Sequence, residues 1–473
     1  MCTKDSHHPS PGMALPGSHI PGSAIPGLFL LVMLTLCSSA PAAEPCRIEV
    51  VDAENGWPVP LVELRTNHHL RFVTDNAGVI ACDAPELMGV ESWFAVEGHG
   101  YGVPADGFGY RGVRLTPQPG ETLTVKVNRE LPAKRLGRLT GAGLFAESQQ
   151  LGDHTDWQES GLLGCDSVQL AGHNGKLHWA WGDTTMPHYP LGLFHMLGAT
   201  TELKPLASFE PPLKLSYDYF RDANGKPRNT AEMPGTGPTW LSGFVSLPDD
   251  TGTQRLVAAY VKIKDMLTAY ECGLCVWDEQ SHSFKLHKKL WTMSEAEPEQ
   301  PRTLEGHPLR WQDEAGIEWL LFGDPFPRMK CKPTFEAWQD PSQWQVLEPQ
   351  QKVPTANGGE PITPHRGSIA WNEYRQCWVT VFTQMYGEPS ALGEIWYAEA
   401  DSPLGPWENA VKVVTHNNDT FYNPRLHPEL TPDDSPILLF EGTYTAMFAD
   451  RPPATPRYDY NQVMYRLDLD DLP

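Results

Sequence analysis

The feature that most constrains this chain is a hairpin that recurs with a fixed frame. Residues 161–185 read GLLGCDSVQLAGHNGKLHWAWGDTT, an apolar run, a His173-Asn174-Gly175 turn and an aromatic run ending in Gly182-Asp183. Asn-Gly between two such runs favours a tight hairpin, because both residues tolerate positive φ. The start of the first strand and the end of the second then lie side by side, which brings Asp166 and Asp183 to one edge. Two carboxylates at one edge are either a catalytic pair or two capped turns, and this hairpin alone leaves both open.

The frame returns downstream. Gly306-His307-Pro308 begins a strand, Asp313 to Gly316 turns it, and the return ends in Gly323-Asp324, so His307 and Asp324 repeat the 17-residue step from Asp166 to Asp183. Looser copies begin at Trp240, at His365-Arg366-Gly367 and at Phe421-Tyr422-Asn423. Five units, each of three or four strands, predict an all-β chain ending in a five-bladed β-propeller. Their spacing exceeds the ~40–50 residues of common propeller repeats, which implies long loops. The 45 Pro, 41 Gly and 16 Trp fit many short strands and turns, and no long 3.6-residue period competes with them.

A net charge of −23 argues against nucleic-acid and anionic-membrane partners, which need a basic face. Residues 27–36, GLFLLVMLTL, precede a run of small residues and read as a secretory signal cleaved after Ala42 or Ala43. This apolar run is too short to span a bilayer. The expectation is a secreted or periplasmic protein with residues 1–43 removed. Seven cysteines follow, an odd number, with a Cys46–Cys82 bridge weighed against free thiols. Cys272-Gly-Leu-Cys275 has no second pair to complete a zinc site, and no metal or cofactor is expected.

Residues 44–130 separate as a small β domain. The segments Asn55-Gly56-Trp57-Pro58-Val59, Thr74-Asp75-Asn76-Ala77-Gly78 and Gly100-Tyr101 resemble the transthyretin-like, or carboxypeptidase-regulatory-like, β-sandwich family. Residues 131–151, basic and Gly-containing, read as a linker packed on a second domain at 152–473.

That second domain resembles the five-bladed β-propeller glycoside hydrolase superfamily (families 43, 32 and 117 and uncharacterised relatives). The resemblance rests on Gly-Cys-Asp166-Ser-Val, on Trp-Gly-Asp183-Thr, and on GEIWYAEADSPLGPW at 393–407. It implies a carbohydrate substrate and an Asp on the first inner strand as base or nucleophile, which falls on Asp166. A second Asp would tune its pKa, and with none in TWLSGFV the role passes to Asp183 or Asp324. A Glu would supply the proton: Glu394 first, aimed by the Leu392-Gly393 turn, then Glu271 or Glu441. His307, Arg366, Asp324, Trp240 and Asn423 would contact substrate at the channel mouth. Two other readings stay open: a non-catalytic carbohydrate-binding propeller, and a polysaccharide lyase using Tyr260 or His307 with Arg366 against a uronate.

Overall fold

In the computed structural model, which describes residues 44–265, 267–449 and 453–472, β-strands dominate and the few helices are a turn or so long, such as Ala146–Gln150 and Phe335–Gln339. The expected signal segment lies outside the described residues.

The first eight strands form two four-stranded sheets around one core. Strand Cys46–Asp52 alternates buried and half-buried residues, antiparallel to Val79–Cys82 and parallel to Thr122–Arg129. Ile48, Val50, Leu64, Ile80, Phe94 and Val127 fill the space between the sheets. Gly78 sits at φ +69, where a Cβ would come 2.8 Å from the Val50 carbonyl oxygen, so the Asp-x-x-Gly turn requires glycine here. All seven cysteines of the described residues are buried free thiols, and Cys46 and Cys82 face each other as cross-strand partners without a bridge.

Five four-stranded antiparallel sheets follow. Their first strands are Val168–His173, Thr239–Pro248, Leu309–Gln312, Pro364–Asn372 and Thr420–Leu426. Four sheets are complete in chain order. The fifth takes its last strand from far upstream: Lys134–Arg138 pairs antiparallel with Asn461–Asp468. The stretch expected to be a linker therefore carries a structural strand.

Hydrogen bonds join neighbouring sheets near their first strands. Trp240 Nε1 donates to Asp183 (3.0 Å), Gly243 N to Gly306 O (3.0 Å), Gly367 N to Asp324 (2.7 Å), Leu426 N to Ser368 Oγ (2.7 Å), and Asn423 Nδ2 to Ser167 Oγ (2.6 Å). Taken in order these bonds link sheets one to two, two to three, three to four, four to five, and five back to one.

The N-terminal sheets are bolted to this assembly, and residues 43–473 form one unit. Arg135, 2% exposed, donates to the carbonyls of Pro60, Gly98 and His99 and to the Tyr465 hydroxyl. Asn76 acts as a surrogate strand residue, donating to Arg138 O and accepting from Arg138 N, both at 2.9 Å. Groups this buried must find partners, and these find them across the junction.

Candidate active site

The hairpin of Asp166 and Asp183 does not end at the aspartates. Its strands run on, as Gly164–Cys165 paired with Thr184–Met186, while Val168–His173 pairs with Lys176–Trp181 behind them. Between the two paired segments both strands break at the same level, and the aspartates occupy the break. Ser167 takes φ +44 there, and the backbone is held by Asp166 N to Asp183 O (3.2 Å) and Gly182 N to Asp166 O (2.8 Å). A Cβ on Gly182 would lie 2.0 Å from Asp166 Oδ1, so glycine leaves the space the carboxylate fills.

Asp166 Oδ2 accepts from the Tyr422 hydroxyl at 2.8 Å, and the Tyr460 hydroxyl lies near the same carboxylate. Burial, and then the charge of Asp183, push the Asp166 carboxyl up to about 7 against the pull of those hydroxyls. Burial also raises Asp183, opposed by the Trp240 hydrogen bond. Burial thus raises both carboxyls at the break. Asn423 (φ +51) anchors the break through Ser167, whose N–H donates to Thr443 Oγ1 at 2.9 Å. Beside them Phe448, 61% exposed, sets its ring 6.2 Å from that of Tyr422.

His307 and Asp324 hold the same places in their hairpin with the opposite electrostatics. His307 N donates to Gly323 O at 2.9 Å. Asp324 accepts from Arg366 (2.7 Å) and from Gly367 N (2.7 Å). Against the burial that would raise it, the charges of Arg366 and His307 hold this carboxyl below the usual range. Burial, with Arg425 and Arg366 nearby, lowers the His307 imidazole to about 4 despite the opposing charge of Asp324. Arg366 is already neutralised by Asp324, and the same charge holds its guanidinium up.

The three expected glutamates are all buried. Glu394 is fully buried, its oxygens taken by Lys412 Nζ (2.6 Å) and Thr415 Oγ1 (2.8 Å), residues of the sheet's outer side. Gly393 does not aim it outward, being itself packed against Ser390 and the Asp419 carbonyl. Glu271 lies inside Thr268–Asp278, bonded by the Tyr260 hydroxyl (2.9 Å) and ion-paired with Lys289. Tyr260, 2% exposed, is thereby committed to a carboxylate. Glu441 sits in the middle of Ile437–Thr445 rather than at its end, 0% exposed. His427 Nε2 lies 2.9 Å from it without hydrogen-bond alignment, and burial pushes the carboxyl up to about 8 against the pull of Arg425. None of the three presents an oxygen to solvent beside Asp166.

Two of the residues around the pair, Tyr422 and Phe448, went unassigned in the sequence. Tyr422 carries a signal, standing next to Asn423 at the start of a repeat unit; Phe448 carries none. Among the described residues no group of three or more His, Cys, Asp or Glu side chains is placed to hold a metal, and no helix is long and apolar enough to cross a membrane.

No protein-family model matches the chain, and no curated protein does. Among solved structures it is similar to a putative exo-β-1,3-galactanase from Bifidobacterium bifidum (11% identity, 66% of this chain and 89% of that one, TM-score 0.35). It is also similar to an exo-1,5-α-L-arabinanase from a bovine ruminal metagenomic library (11%, 66% and 95%, TM-score 0.38) and to a thermostable family-43 glycoside hydrolase (11%, 64% and 88%, TM-score 0.32). At these scores the likeness decides neither fold nor activity, and both readings rest on the chain's own geometry.

Proposed function

We propose that this protein is an exported glycoside hydrolase, a transthyretin-like β-sandwich joined to a five-bladed β-propeller, cleaving glycosidic bonds of a polysaccharide or oligosaccharide. The five-bladed reading is supported by the five consecutive sheets and the hydrogen bonds that lead from each to the next and back. Export is supported by the leader-like residues 27–43. In this reading residues 44–130 are the sandwich, and the propeller of 152–473 also recruits Lys134–Arg138 from the 131–151 connection.

The observation that carries the activity is the aspartate pair at the strand break. Burial and the charge of Asp183 raise Asp166 to about 7, where it can hold a proton that a free carboxylate would have lost, and Asp183 lies across the break from it. Glycoside cleavage needs that combination: one carboxyl protonates the departing oxygen, and the other, ionised, activates water or attacks the anomeric carbon. Tyr422 fixes the orientation of the Asp166 carboxyl. Trp240 and Phe448 offer apolar ring surface for a sugar beside it. The acid–base work thus passes from the expected Asp–Glu couple to two aspartates of one hairpin.

Arg366 weighs against lyase chemistry, because its charge is spent on Asp324 rather than held ready for a uronate. The test is a polysaccharide panel assayed for new reducing ends and for the absorbance of unsaturated products. Reducing ends without unsaturation, abolished by Asp166→Asn, are the expected result. Unsaturated products, or full activity in Asp166→Asn, would sink the reading.

A further inference from the structure

We propose that the first strands of the third, fourth and fifth sheets carry, away from the Asp166–Asp183 pair, a second glycan-holding site built on Trp371 and selective for neutral sugars. Trp371 is the penultimate residue of Pro364–Asn372, whereas Asp166 precedes the first residue of Val168–His173. Two cavities flank it, of about 310 and 280 Å³. Both are lined by Ala370, Trp371, Leu426 and Pro428, so the two cavities share one indole. Trp371 keeps 40% of its surface exposed, an unusual state for so large an apolar ring in a folded chain. Trp378, its cross-strand partner, backs it edge-on at 5.5 Å and 67°, which holds the indole plane in place.

The remaining lining supplies hydrogen-bonding groups. Arg310 and Glu429 line the larger cavity, and Asn372, Glu373, Asp433 and Ser435 the smaller. A rigid aromatic face with polar groups on either side suits a pyranose or furanose ring, whose C–H face stacks while its hydroxyls bond outward. Two cavities sharing one indole suit consecutive sugars of a chain. Glu373, Asp433 and Glu429 stand around the two cavities against Arg310 and Arg425, the latter paired with Glu429, and the chain carries −23 overall, so uronate or sulfated glycans are repelled. The inference takes from the proposed function only that the protein engages glycans. It adds a site that anchors polymer without touching the aspartate pair.

The test uses the full chain carrying Asp166→Asn in native gels containing soluble arabinan, galactan, xylan or mixed-linkage glucan, with polygalacturonate as the acidic control. Retardation by at least one neutral polysaccharide is expected, with the apparent affinity reduced fivefold or more by Trp371→Ala and largely restored by Trp371→Tyr. In protein with Asp166 intact, Trp371→Ala should leave turnover of a short oligosaccharide of that glycan within twofold. Retardation unchanged by Trp371→Ala, retardation by no neutral polysaccharide, equal retardation by polygalacturonate, or an equal loss of short-substrate turnover would each overturn the proposal. If Trp371-dependent retardation holds while the unmodified protein releases no reducing ends from any glycan, the hydrolase reading falls and this site stands.

Discussion

Asp183 and Asp324 end equivalent strands, each behind a glycine, each 17 residues after the start of its hairpin, and they do opposite things. Asp183 lies across the break from a second carboxylate, and burial raises its pKa against one indole N–H hydrogen bond. Asp324 faces Arg366, a backbone N–H and His307, and its pKa falls. The repeat supplies a position and the neighbouring sheet supplies the electrostatics. A carboxylate buried beside another carboxylate keeps its proton to higher pH, and one set against a guanidinium becomes a joint between sheets.

The largest expected effect separates these roles directly. Asp166→Asn and Asp183→Asn should each lower kcat/KM by about 10²–10⁴-fold, with the thermal midpoint kept or raised. Asp324→Asn should cost about 1–3 kcal/mol of stability while kcat/KM stays within tenfold. Parallel kinetics and thermal melts measure both, and an inactive but stable Asp324→Asn would erase the distinction.

The glycines sharpen it. A Cβ on Gly182 meets the movable carboxylate of Asp166, whereas one on Gly306 meets the Gly323 carbonyl oxygen at 1.8 Å, at φ +94. Gly182→Ala should therefore remove activity with little loss of stability. Gly306→Ala should unfold at markedly lower denaturant, a cost of about 1–3 kcal/mol from backbone strain plus the clash. Next in size, Phe448→Ala should raise KM by about three- to tenfold with kcat kept, the loss of ~1 kcal/mol of ring contact, while Phe448→Tyr should behave as the parent.

The smallest effect is in pH. The Asp166 carboxyl titrates at about 7 in the folded protein and near ~3.9 in the unfolded chain. The native state holds a proton the unfolded state has released, so this group's contribution to stability is lost as pH rises from about 4 through 7. Asp166→Asn should melt ~1–3 °C higher than the parent at pH 8, with no advantage near pH 4. Asp324 has the reverse sign: its contribution is present above the unfolded value and lost as pH falls through its lowered one.

The hairpin frame was legible because turn chemistry and strand alternation are local. The break at Asp166 was not, since it depends on Ser167 adopting φ +44 against Asn423, 256 residues away. The burial of Glu394 was not legible either, for a related reason. The start of a third strand is readable, but the face its side chain takes follows from a register shift at Ile395/Trp396 and from Lys412 waiting on the next strand. The basic stretch around Lys134 looked like a linker because it carries no alternation of its own. Its strand exists only by pairing with residues near the other terminus.

That pairing has a consequence for how the molecule is made. Lys134–Arg138 leaves the ribosome more than three hundred residues before its partner Asn461–Asp468. Until then the fifth sheet is incomplete, and the N-terminal module that holds Arg135 has nothing to dock against. The closing step joins residues more than three hundred positions apart and carries the large loop-closure cost of such contacts. A chain shortened by a dozen residues at its end would lose most of this partner strand and could not close.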